Sequence, residues 1–271
     1  MSLDDARRFV LELVNRDREE HGLSPVELDD VASDAGQRHA EDMARVGFTA
    51  HWGSDGSVPE QRYTEAGGVF LVHENAACFF DGTLRELDPE PRFAPELLEK
   101  IQHAFMSEVP PHDGHKKNIL IPTHNRLGVG IAKPLGVNEP CLAQEFVDVY
   151  GEFDDLPKSA NPGARIEVSG RVTAPASFGA VGIARSDLPE PMSAKELNAT
   201  STYAMPTPYA TFFPEGFVTP RPVKVEGGRF EIELELDRKR GAGRYSISVW
   251  GRFPGKGNEL SMVSLRTVLV R

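Results

Sequence analysis

Cysteine is nearly absent from this chain, with Cys78 and Cys141 the only two among 271 residues. Two are too few for a disulfide framework, and their spacing fits no zinc motif. One disulfide and two buried thiols both stay open. No uninterrupted apolar run approaches the ~20 residues of a membrane-spanning helix. Basic charge is also scarce, 30 Lys+Arg against 41 Asp+Glu for a net of −11. An acidic chain is a poor partner for nucleic acid, because that affinity comes from cations displacing phosphate counterions. The opening MSLDDARRFVLEL has no basic stretch leading into an apolar one, so no signal peptide is expected as written. Met1-Ser2-Leu3 is compatible with a scar replacing a removed leader.

Familiar catalytic signatures are missing too. No G-x-S-x-G elbow and no C-x-x-C occurs, and the G-x-G at Gly128–Gly130 lacks its third glycine. His73-Glu74-Asn75-Ala76-Ala77 begins like H-E-x-x-H but puts Ala77 where the second ligand belongs, which excludes a zincin.

What is present is unevenly distributed. The hydrophobic content of 39% suits a globular protein, and the length suits two domains. Residues 1–155 hold 14 basic and 30 acidic side chains, a net of −16, whereas residues 156–271 hold 16 and 11, a net of +5. All eight histidines (His21, His39, His51, His73, His103, His112, His115 and His124) lie in the first part. Any imidazole chemistry belongs there.

The period of the apolar residues separates the two parts as well. Ala6, Phe9, Val10, Leu13 and Val14 recur at helical spacing over 4–21, with Ser2 and Asp5 as a capping pair. A second helix is expected over Asp30–Val46 and stops at Gly47. Residues 48–73 read as loop, a short third helix starts near Glu74, and a fourth starts at Pro95. Leu127–Ala132 and Leu142–Tyr150 read as strands. Residues 151–163 are polar and proline-bearing, which suits a linker. Beyond it the period falls to two, as in Phe230, Ile232, Leu234 and Leu236, with Gly227-Gly228 supplying a turn. The expected fold is α+β in residues 1–155 and an all-β, Ig-like or similar, sandwich in residues 163–271. Residues 187–222 read as long loops crossing that sandwich.

Five segments of the first part occur in a telling order: QRHAEDMARVGFTAHWGSDGSVPEQR (37–62), HENAA (73–77), FMSEVPPHDGHKKNIL (105–120), RLGVGIAK (126–133) and AQEFVDVYG (143–151). Together they resemble the CAP superfamily of cysteine-rich secretory proteins, antigen 5 and pathogenesis-related proteins (the SCP domain), and are most similar to its bacterial secreted branch. The resemblance covers roughly residues 3–153. It implies an α-β-α sandwich whose cleft carries two histidines and two acidic residues. By motif these are His51, Glu74, Glu108 and His115. Three departures mark this chain: His73 stands where glycine is usual, Phe105 replaces tryptophan, and Pro-Pro-His-Asp is inserted before Gly114.

Two imidazoles and two carboxylates suit a divalent metal, zinc first, in an open site that keeps water. The same groups can also hydrogen-bond one another without metal. The resemblance implies a secreted or cell-surface protein that binds a small ligand such as a lipid, a protein or a wall polymer. One alternative is a metal-dependent, peptidase-like hydrolase with Glu74 or Glu108 as general base. Another is adhesion through the C-terminal domain. Among the other histidines, His39 reads as a core residue, His21, His103 and His112 as surface residues, and His73 as a flank of the cleft. Asn75 reads as a helix-start or loop-bracing residue.

Overall fold

The computed structural model describes residues 1–271 apart from Ser201 and Lys256. It divides into two compact units: residues 1–67, 72–147 and 190–203 form the first, and residues 68–71, 148–189 and 204–271 the second. Helix and sheet are mixed in the first unit, and the second contains two further sheets.

The first unit holds α1 (Leu3–Glu20), β1 (Glu27–Leu28), α2 (Asp30–Val46), α3 (Pro59–Ala66), β2 (Leu71–Ala77), α4 (Pro95–Met106), α5 (Gly114–Ile119), β3 (Arg126–Ala132) and β4 (Cys141–Asp148). Ser2 caps α1 by accepting from the Asp5 backbone N–H, and Asp29 caps α2 through Ala32. Gly47 ends α2 at φ 76°, a left-handed conformation that costs glycine least. The four strands run in the order β1-β3-β4-β2.

Strand alternation assigns each face of this sheet to its own helices. Leu127, Val129, Ile131, Leu142 and Phe146 point to a cluster with Ala6, Val10 and Val14 of α1 and Leu98 and Phe105 of α4. Their neighbours Gly128, Gly130 and Ala143 face α2. A Cβ on Gly130 would lie 2.0 Å from the Gly36 carbonyl carbon, so β3 and α2 touch backbone to backbone. Ala40, Met43, Phe48, Cys141 and Ala143 form the second cluster of this unit. Cys78 and Cys141 are joined by a disulfide.

Several local expectations are corrected. Residues 71–77 form strand β2 instead of a helix starting near Glu74. The Glu and Ala residues there favour helix locally, but placement beside β4 in a sheet covered on both faces overrides a propensity of under ~1 kcal/mol per residue. The stretch 48–73 is not all loop, because Pro59 opens α3 and Gly67 closes it. The linker 151–163 contributes β5 (Gly151–Phe153), which pairs with Gly170–Val172, and β6 (Ser159–Ala160), which pairs with Leu269 and Val270 at the far end of the sequence.

The second unit continues with β7 (Arg165–Val172), β8 (Ser177–Ser186), β9 (Ala210–Phe212), β10 (Lys224–Glu226), β11 (Arg229–Glu235), β12 (Gly243–Arg252) and β13 (Ser261–Val270). They form sheets of order β10-β11-β7-β5 and β6-β13-β12-β8-β9. Phe230, Ile232 and Leu234 of β11 enter one apolar cluster with Val181, Ile183, Tyr245, Ile247 and Val249 of the other sheet. The glutamates between them face out.

The segment expected to cross the sandwich as loop behaves differently. Residues 190–203 belong to the first unit and carry α6 (Ala194–Leu197), opened by a Ser193–Glu196 capping box. Leu197 is fully buried in the cluster of Met43 and Phe48. The Asn198 side chain accepts from the Thr49 N–H (3.0 Å) and donates to the Gly47 and Phe80 carbonyls. Among the described residues, no helix is long and apolar enough to cross a membrane.

Candidate functional site

Two histidine–glutamate pairs are formed. His51, in the turns after α2, donates from Nδ1 to Glu74 Oε1 at 2.8 Å. Glu74 stands on β2 with no exposed side-chain surface, and its Oε2 accepts from Arg62 Nη2 of α3 at 2.6 Å. The same guanidinium donates to the His51 carbonyl (3.1 Å) and the Ser57 carbonyl (3.2 Å), so one buried cation fixes both the carboxylate and the histidine's backbone. Burial works to raise the Glu74 carboxyl, but the His39 and Arg62 charges and the His51 hydrogen bond outweigh it and hold the group well below the carboxylate range.

His39 of α2 lies beneath this pair, fully buried, with Nε2 donating to the Ala50 carbonyl at 2.8 Å. Burial, seconded by the nearby Arg62 cation, pushes its ring down to about 4. It is therefore neutral at pH 7, and Arg62 supplies the lasting positive charge beside Glu74. Glu145 of β4 is also fully buried, and burial together with the Glu74 charge raises it well above the ordinary range. Tyr203, from the inserted segment 190–203, packs edge-on to Trp52 at 5.2 Å and donates to Glu60 at 2.5 Å.

The second pair is built at the junction of α4 and α5. Glu108 follows the end of α4, and its Oε1 accepts from His115 Nδ1 at 2.5 Å. Its Oε2 accepts from the His115 backbone N–H at 2.9 Å and from Lys116 at 3.4 Å. Glu108 thus caps the first amides of α5 while orienting the ring, which suits a carboxylate at the positive end of a helix. Phe105 stacks on the His115 ring at 4.4 Å. The structure therefore pairs His51 with Glu74 and His115 with Glu108. In both pairs Nδ1 is occupied by the carboxylate. His51 and His115 keep side-chain exposures of 24% and 31%.

β2 connects the two pairs. Its alternation sends Glu74 to the α2–α3 face and Asn75 to the α4–α5 face, where Asn75 Nδ2 donates to the His115 carbonyl at 3.3 Å. Asn75 is thus a brace on a strand, neither a helix start nor a loop residue.

A third cluster involves a residue that motif matching passes over. His73, His124 and Asp148, the last residue of β4, offer ligand atoms within 4.8 Å of one another and can hold a metal ion. The His73 and His124 rings are 5.2 Å apart, and His124 stacks on Phe146. No spacing in the sequence marks this group, because its members come from β2, a loop and the end of β4. Arg62 carries no sequence signal either, since a lone arginine in a turn-rich stretch reads as surface until its burial is known.

Residues 11–134 match the family model described as the Cysteine-rich secretory protein family (CAP). One solved structure that this chain resembles is the 1.5 Å crystal structure of an extracellular protein containing an SCP domain from Bacillus anthracis str. Ames. The likeness has a TM-score of 0.39 at 22% identity, covering 53% of this chain and 40% of that one, so it spans less than half of that protein's length. No curated protein matches this chain. The matched residues 11–134 include His51, Glu74, Glu108 and His115, so both histidine–glutamate pairs lie within the stretch that matches the CAP family model.

Proposed function

We propose that the CAP unit binds a divalent metal, zinc first, through Nε2 of His51 and Nε2 of His115. The observation that carries this reading is that each ring has Nδ1 committed to a carboxylate, the arrangement that fixes a ligating imidazole and raises its basicity. Glu74 and Glu108 then act as orienting groups. Glu74 is buried with both oxygens engaged, so it is a poor choice for a general base, which disfavours the hydrolase alternative. A bound divalent ion would supply Lewis acidity toward a water or a ligand oxygen. The use we infer is binding of a small ligand or partner outside the cytoplasm. The Cys78–Cys141 disulfide supports that location, since such bonds persist in oxidising compartments. We read the chain as a CAP domain over 1–155 and a two-sheet β-sandwich domain over 163–271, with residues 190–203 lent to the first.

Calorimetric zinc titration of the full chain tests the metal site. His51→Ala and His115→Ala should each weaken zinc binding at least ~10-fold, the scale of losing one ligand or its oriented partner. His124→Ala should leave it unchanged. Loss confined to His124→Ala would move the site to the His73, His124 and Asp148 group, and unchanged affinity in all three variants would sink the metal reading.

A further inference from the structure

A continuous line of polar side chains, buried except for the half-buried Asn118, runs through the first unit, and packing alone does not require it. Gln102 Nε2 of α4 donates to Asp17 Oδ2 of α1 at 2.7 Å, and Gln144 Nε2 of β4 donates to Gln102 Oε1 at 2.7 Å. Asn75 Nδ2 donates to Gln144 Oε1 at 3.2 Å, and Asn118 Nδ2 of α5 donates to Asn75 Oδ1 at 2.9 Å. The line ends where Asn118 Oδ1 meets His124 Nε2 at 3.2 Å. Asp17, Gln102, Gln144, Asn75 and His124 are all at most 5% exposed.

The direction of this line is determined. The Asp17 carboxylate, gripped on Oδ1 by Arg16, can only accept, so Gln102 must turn its NH₂ toward it. The Gln102 oxygen then faces Gln144, which must in turn present its own NH₂, and the same constraint passes through Asn75 and Asn118. Reversing Gln102, Gln144 or Asn75 would set two oxygens together at hydrogen-bond distance in the core and leave buried groups unsatisfied. The last amide therefore shows an oxygen to His124, and Nε2 of that ring must carry a proton. A second constraint agrees, because Asn75 also needs its NH₂ for the His115 carbonyl. The neighbouring Arg18 holds the same region directly, donating to the carbonyls of Ile119, Ile121 and His124.

We propose that Asp17 is a remote positioning residue: through this one-way line of five hydrogen bonds it fixes the proton on Nε2 of His124 and holds Asn75 and α5 in the register that presents His115. The part concerning His115 rests on the reading of that residue as a zinc ligand, whereas the part concerning His124 does not.

The test uses the full chain labelled with ¹⁵N-histidine. Two-bond ¹H–¹⁵N correlation at pH 8 reads the proton position on each imidazole, and the His124 signal is identified by its loss in His124→Gln. The wild type should show His124 protonated at Nε2. A ring protonated at Nδ1 alone overturns the inference without recourse to any variant. Gln102→Leu cuts the line, and His124 should then lose its single Nε2–H pattern while zinc affinity falls ~10-fold. Asp17→Asn keeps the size of the side chain but lets Gln102 face it either way round, so His124 should again lose its single Nε2–H pattern, a change that lost packing would not produce; an unchanged pattern in this variant refutes the role of Asp17. An unchanged His124 pattern in folded Gln102→Leu refutes the line. A changed pattern with unchanged zinc affinity refutes its role in positioning His115. If the wild type binds no zinc, the metal reading fails, and the imidazole signals still decide whether Asp17 sets the proton of His124.

Discussion

Acidification from pH 7 to 4 should destabilise the first unit through one residue, His39. The ring is fully buried between α2 and the His51 turn, and burial with Arg62 nearby lowers it to about 4, against about 6.5 in an unfolded chain. Above pH 6.5 both states hold a neutral ring and His39 contributes no pH dependence. Between 6.5 and 4 the unfolded chain takes up a proton that the folded one refuses, so stability falls as pH falls. Two and a half units at ~1.36 kcal/mol each come to about 3 kcal/mol. Glu145 works the other way in part of the same window. Its raised carboxyl contributes stability present below the unfolded value of about 4.3 and lost as pH rises through its folded value. The His39 contribution must therefore be read as a difference.

The measurement is urea unfolding of a Trp250→Phe background, in which Trp52 reports on the first unit, with and without His39→Gln. The glutamine amide can still donate to the Ala50 carbonyl but takes up no proton. The two stability curves should run parallel above pH 6.5, and the wild type should lose about 3 kcal/mol more by pH 4. Parallel curves across the whole range would refute the reasoning, since they would mean that the ring is protonated as readily in the fold as in the unfolded chain.

Two further outcomes follow from the packing. Leu197→Ala, in the segment that follows β8, should cost the first unit ~2–5 kcal/mol because the side chain is fully buried among Met43, Phe48 and Cys141; a shift under 1 kcal/mol in the Trp52 transition would show that residues 190–203 are not part of that unit. Glu74→Gln leaves the Arg62 cation buried without its carboxylate and should cost ~3–5 kcal/mol in the same assay, with an unchanged urea midpoint counting against the buried pair.

The local elements with strong signals of their own were legible in the sequence. α1, α2 and α4 carried apolar stripes three and four residues apart with Ser2, Gly47 and Pro95 at their ends, and β3, β4 and β11 carried their β-formers. α3 and α5 escaped because eight and six residues are too few to show a period. His51, Glu74, Glu108 and His115 stand out in the sequence through ordered motifs, and the structure pairs His51 with Glu74 and His115 with Glu108. Arg62, Glu145, Tyr203 and the His124 cluster were not legible, since each depends on burial or on a contact between segments distant in the chain.

Composition and motif order by themselves determined that imidazole chemistry is confined to the acidic half and which family that half resembles. The tertiary structure alone decided that HENAA is a strand. This matters chemically, because a strand sends consecutive residues to opposite faces where a helix would not. Glu74 thereby meets Arg62 and His51 on one side of the sheet, and Asn75 joins the polar line to Asp17 on the other. Helix propensity is read over a few neighbouring residues, whereas the place of β2 beside β4 depends on residues some seventy positions away, at a separation no local pattern records.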